Sequence, residues 1–162
     1  MRNLWSKKGD RLLPSTDDLK TAATFTPDQL ARDAFIWDGY MTAGAALIDE
    51  AERRPQDRYV LVYPILFNYR HGLEAAMKWT IERYGSLANV RLDPNDRDHD
   101  LWTLWKQCKE IFVATAPSGD DDEPLRAVEQ IIKDFHDLDR SAVALRYSKC
   151  PSGNILNPVN RL

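Results

Sequence analysis

The side chains with the most chemistry to offer in this 162-residue chain are charged groups that fall on apolar helix faces. At about 100° per residue, Tyr59, Tyr63, Leu66, Leu73, Met77, Ile81 and Tyr84 share one side of a helix, with Arg70 in their midst and Glu74 four residues on. His71 sits at the edge of that stripe, and Asn68, Gly72 and Trp79 face away from it. Read as one helix, residues 124 to 147 repeat the anomaly. Asp139 and Arg146 fall within the stripe of Val128, Ile132, Phe135, Ala142 and Val143, and His136 lies at its margin. A charge facing a core is costly unless it is paired, and the simplest arithmetic pairs Arg70 with Asp139 and Glu74 with Arg146. Two readings follow. One is a structural polar network that fixes helix register. The other is an active or binding site lined by two guanidinium groups, two carboxylates and nearby histidines, which holds an anion, above all a phosphate.

The other candidates are weaker. His99, between Asp98 and Asp100, reads either as a solvated first-turn residue or as an acid or base that titrates near neutrality. His71-x-x-Glu74 and His136-x-x-Asp139 have the i,i+3 spacing of bundle metal sites, but the order is reversed from Glu-x-x-His and the further glutamates are missing. We therefore expect no metal and no cofactor. Trp37 and Trp105 lie on apolar stripes, whereas Trp79 and Trp102 point off them, as residues of a partner surface would. Cys108 and Cys150 form no CxxC pair and read as free thiols. A glycine-rich phosphate loop, a nucleophile elbow and zinc-type cysteine spacing are all missing.

These side chains need helices to position them. Thr26-Pro27-Asp28-Gln29 reads as a helix start capped by Thr26, and Leu30, Ala34, Trp37, Met41, Gly44, Ala45 and Ile48 carry a first helix to about Arg53. A second helix spans about Arg58 to Tyr84, with Pro64 as a kink or a broken start and Gly85 as a left-handed stop. A third covers about His99 to Val113, and a fourth opens at Pro124 behind an acidic loop and continues through Tyr147. The result is an all-α bundle of four or five helices over residues 26–148, preceded by an arm at 1–25 and followed by a tail at 149–162. A net charge of −3 gives no bulk electrostatic sign of a nucleic-acid or anionic-membrane binder. The longest apolar run, Tyr59 to Phe67, is too short to span a bilayer and the first residues hold no apolar signal core, so we expect a cytoplasmic protein with no membrane partner.

Three segments carry a resemblance. Phe67-Asn68-Tyr69-Arg70-His71-Gly72-Leu73-Glu74-Ala75-Ala76-Met77-Lys78 resembles the "RHxLE…LK" helix of bacterial HEPN-like proteins. His99-Asp100-Leu101-Trp102-Thr103-Leu104-Trp105 is similar to their "HDLxxLW" segment, and Leu138-Asp139-Arg140-Ser141-Ala142-Val143-Ala144-Leu145-Arg146-Tyr147 to their "LDxxSxxFRY" ending. The resemblance implies a helical HEPN-like bundle, a homodimer, and a role in a toxin–antitoxin or phage-defence system beside an antitoxin or another defence protein. It also implies metal-independent cleavage of RNA, with the 2′-hydroxyl as internal nucleophile, or action on a nucleotide. Arg70 and Arg146 would then stabilise phosphoryl charge, and His71 or His99 would shuttle protons. No arginine here precedes a histidine by the four to six residues of the family's nuclease signature. A non-catalytic interaction or sensor module built on the same charges is therefore the alternative.

Overall fold

A computed structural model describes residues 26–92, 99–115, 122–139 and 144–147; the arm at 1–25, Cys150 and the tail lie outside the described residues. Among the described residues there are four helices: α1 (Gln29–Arg53), α2 (Arg58–Tyr84), α3 (Leu101–Thr115) and α4 (Glu123–Leu138). Short 3-10 turns at Pro55–Asp57 and Gly85–Ala88 flank α2. No strand occurs among the described residues, and no helix there is long and apolar enough to cross a membrane.

Three of the helices begin where an acidic side chain can take their free N–H groups. Asp28 caps α1, accepting from the Ala31 N–H at 3.5 Å; the chain enters the helix two residues after Thr26, whose carbonyl holds the Arg32 side chain instead. Asp100 starts α3, taking the Trp102 and Thr103 N–H groups and the Thr103 hydroxyl. Asp122 caps α4 through the Leu125 N–H at 3.0 Å. Pro64 does not break α2, which continues through it; the Pro64 carbonyl accepts a 2.6 Å hydrogen bond from the Asn68 amide.

Helix α2 is the centre of the molecule because two of its faces are covered. One face meets α1: an added Cβ at Gly44 would lie 2.9 Å from the Tyr69 ring, one at Gly72 would lie 3.2 Å from Met41, and the Trp37 and Trp79 rings sit 6.3 Å apart. Gly72 and Trp79, expected to face away from the bundle, are thus part of the α1–α2 seam. The other face presents Met77 and Ile81 to Leu101, Leu104, Trp105, Cys108 and Ile111 of α3, and Ile132 of α4 closes this core. Trp102 packs against the same cluster rather than standing free. Burial pushes the Cys108 thiol up to about 12, so it is inert as a nucleophile at neutral pH. Helix α4 runs antiparallel to α3, as the Lys109–Glu129 and Asp100–His136 pairs require. The first two turns of α2 are bare by contrast, and Tyr59, placed on the core stripe by periodicity, is 86% exposed.

The end of α2 departs from expectation in an informative way. Gly85 has φ −58° and ψ −31°, a right-handed conformation, and the left-handed residue is Asn89 at φ 57°. Glycine is needed at 85 because the chain doubles back onto it: the Val90 N–H bonds the Gly85 carbonyl at 2.8 Å, and a methyl group at 85 would collide with the Val90 carbonyl oxygen. Gly85→Ala is expected to cost about 1–3 kcal/mol of folding stability, as overpacking does, read as a lower urea midpoint at unchanged slope.

Candidate functional site

The six residues singled out as candidate site residues line one small cavity of about 60 Å³: Arg70, His71, Glu74, His99, Asp139 and Arg146, with Phe67 beside them. They are not equivalent. Arg70, Glu74 and Asp139 are each only 3% exposed, whereas half of the His99 side chain (49%) reaches solvent and Arg146 is exposed.

Arg70 is a structural clamp. Its Nη1 bonds Glu74 Oε2 on its own helix at 3.2 Å, and its Nη2 donates to the His99 carbonyl at 2.7 Å. Its Nε donates to the Asp139 carbonyl at 3.1 Å and lies 3.9 Å from Asp139 Oδ2. One planar guanidinium therefore ties α2 to the start of α3 and the end of α4, which a lysine's single ammonium could not do. The Arg70–Asp139 contact expected from the wheel is present, mostly through the backbone carbonyl.

The Glu74–Arg146 pair is not formed, and the reason is local. Helix α4 stops at Leu138 rather than continuing to Tyr147, and Asp139 is extended at φ −147°, ψ 78°. The Asp139 carboxylate accepts the Ala144 and Leu145 N–H groups at 3.1 and 3.4 Å, and residues 144–146 form a turn. That turn buries Leu145 and leaves Arg146 on the rim, its guanidinium 5.6 Å from the centre of the Tyr147 ring. Arg146 is therefore not turned into the core, contrary to the periodicity of a continuous helix.

Glu74 is held instead by Arg70, by Lys78 Nζ at 2.8 Å and by His99 Nδ1 at 2.7 Å from Oε1. Burial works to raise its carboxyl pKa, but the hydrogen bonds and charges of Lys78 and His99 outweigh it and leave it below the usual carboxylate value. Lys78, one helical turn past Glu74, is the site residue that sequence reasoning missed; the i,i+4,i+8 run Arg70–Glu74–Lys78 was the signal for it. A carboxyl with a depressed folded-state pKa stabilises fully above its unfolded value, near 4.5, and loses that contribution as pH falls through the lower folded value. Wild type should thus lose stability more steeply than Glu74→Gln as the pH falls below the unfolded value near 4.5, measured as urea midpoints at each pH.

With the Glu74 carboxylate against Nδ1, that nitrogen donates and the ring is held in one orientation, as an acid–base imidazole is. Its place is fixed from both neighbours: Arg70 grips its carbonyl, and Asp100, next in sequence, caps α3. Asp100 is itself kept below the usual range, because the Thr103 and Trp102 hydrogen bonds and the nearby His136 outweigh burial. His136 Nδ1 lies 3.0 Å from Asp100 Oδ1 but off hydrogen-bond direction, and it does not line the cavity. His71 is wedged between the Tyr40 ring, edge-on at 4.4 Å, and the Phe67 ring, stacked at 5.7 Å. Burial lowers its pKa, Glu74 pulls it up, and His99, Arg146 and Arg70 push it down further. His71 is thereby a neutral imidazole at physiological pH.

Among the described residues no three His, Cys, Asp or Glu side chains converge as a metal site would need. What the cavity offers is an oriented imidazole with a neutral imidazole inside and a guanidinium on the rim, a set suited to proton transfer beside an anion. No family model, no curated protein and no solved structure matches this chain.

Proposed function

We propose that this chain is a HEPN-like protein that acts on RNA or a nucleotide by metal-independent acid–base chemistry. The observation that carries the reading is the 2.7 Å contact between Glu74 Oε1 and His99 Nδ1, with the imidazole half exposed at a cavity that Arg146 also lines. In this reading His99 Nε2 takes the proton from the ribose 2′-hydroxyl, and Glu74 stabilises the imidazolium that forms. The 2′-oxygen bonds phosphorus as the P–O5′ bond breaks, and the leaving 5′-oxygen takes a proton from water. Arg146 pairs with the phosphate as charge builds in the transition state. Arg70 does not touch substrate; it positions Glu74 and His99. The resemblance of the three segments adds a homodimer and an antitoxin or other defence-system partner to the proposal.

The test is to incubate the pure protein with total RNA in EDTA. Products bearing 2′,3′-cyclic phosphate, lost in His99→Gln, are the expected result. The second reading, a non-catalytic interaction module, is favoured by the saturation of Arg70, which leaves none of the innermost charge free to recognise a ligand. Intact RNA under all these conditions, with a cooperative unfolding transition, would establish that reading instead.

A further inference from the structure

A second cavity, of about 410 Å³, lies next to the polar centre along α2, between α2 and α4. We propose that it seats one amphipathic helix of a partner protein whose flank is basic. Helix α4 packs along α3; it meets α2 at the base, where Ile132 joins Met77 and Ile81 in the core, and just past its end, where Arg70 binds Asp139. Above that base, among the described residues, the two helices line the cavity as its walls. Leu73, Ala76 and Thr80 of α2 stand opposite Val128 and Pro124 of α4, and Met77, Trp105 and Ile132 form the floor. Each wall covers about two turns, enough for anchors at i, i+3 or i+4, and i+7 of a docked helix.

Two observations select this occupant. Thr80 and Asp122 are the lining residues with polar side chains away from the floor, so the cavity lacks the converging polar groups by which a small molecule is oriented. The apolar surface also continues outward past the rim, where Val128 is 41% and Ile131 51% exposed. The second observation is that the charge around it is one-sided. On a helical wheel the groove-side flank of α4 carries Glu123 and Asp134, both exposed, and Asp122 adds a third acid at the lip. The basic residues of α4, Arg126 and Lys133, fall on the opposite flank, and Glu129 is taken up by Lys109 of α3. On the α2 wall the charged residues between Leu73 and Thr80 are Glu74 and Lys78, which pair with each other and stay out of the cavity lining. A helix with leucine-type anchors and lysine or arginine beside them matches both the apolar floor and the acidic edge. This inference does not depend on the cavity at His99 being catalytic.

The probe is a fluorescein-labelled 14-residue Leu/Lys amphipathic peptide, with its Leu/Glu counterpart as control, titrated into the full chain and followed by anisotropy. A benzophenone version maps the site by cross-linking. Saturable one-to-one binding of the basic peptide, with cross-links to residues 73–80 and 124–132, is expected. Reversing the exposed rim in Glu123→Lys/Asp134→Lys should weaken it by about tenfold or more, and Ala76→Trp should abolish it. Circular dichroism shows whether each variant has kept its fold, and Asp134→Lys alone, in the exposed middle of α4, carries the test if the others have not. Equal binding of both peptides, unchanged affinity in the folded rim variants, cross-links elsewhere, or no peptide binding by the full chain would each overturn the proposal. Uptake of dodecanoate in place of peptide would assign the cavity to a small apolar ligand and overturn it as well.

Discussion

Arg70→Ala is expected to lower folding stability by about 3–5 kcal/mol, the cost of removing one partner from a buried ion pair. Typical domains have only about 5–15 kcal/mol in all. The size follows from what is left behind. Glu74 stays 3% exposed with its guanidinium gone, and the carbonyls of His99 and Asp139 lose their donors. Buried acceptors stripped of a partner bear the full desolvation penalty. Arg70→Lys should recover part of the loss by keeping a charge beside Glu74, but a single ammonium cannot reach three acceptors on three segments. Urea unfolding of the three proteins at pH 7 checks this. A loss under about 1 kcal/mol for Arg70→Ala, the worth of an exposed pair, would mean that α3 and α4 are not held through this side chain. Because the residue is a clamp, loss of activity in Arg70 variants says nothing about chemistry unless their folded fraction is measured too.

His99→Gln separates chemistry from architecture. The imidazole is half exposed and makes its contact through Nδ1, and a glutamine amide can still donate to Glu74 while lacking a basic ring nitrogen. The fold should therefore survive with a urea midpoint close to wild type. If His99 transfers the proton, the rate of RNA cleavage in EDTA should fall by about 10²–10⁴-fold, the usual worth of a positioned acid–base group. Arg146→Ala should also cut the rate while sparing the fold, since Arg146 sits on the rim outside the core. Cleavage by His99→Gln at the wild-type rate would remove His99 from the mechanism and leave the polar centre as a register-fixing network.

Much of this was legible in the sequence, for definable physical reasons. Helical periodicity, prolines, glycines and acidic starts located α1 to α4 because local propensity and burial agree along most of each helix. Arg70 and Glu74 stood out for the same reason, since a charge amid Leu66, Leu73, Met77 and Ile81 has to be satisfied wherever those residues are buried. Three matters were settled only in three dimensions. A wheel cannot tell which faces a helix will have covered, so Gly72 and Trp79 looked outward until α1 packed on them, and Tyr59 looked inward where nothing packs. The end of α4 falls at Leu138, where the Asp139 carboxylate competes for the Ala144 and Leu145 N–H groups, and Arg146 comes to the rim. The contact of Glu74 with His99 joins residues 25 apart in sequence, one on α2 and one just ahead of α3. No local pattern encodes it, because it exists only once Arg70 has drawn the start of α3 against α2.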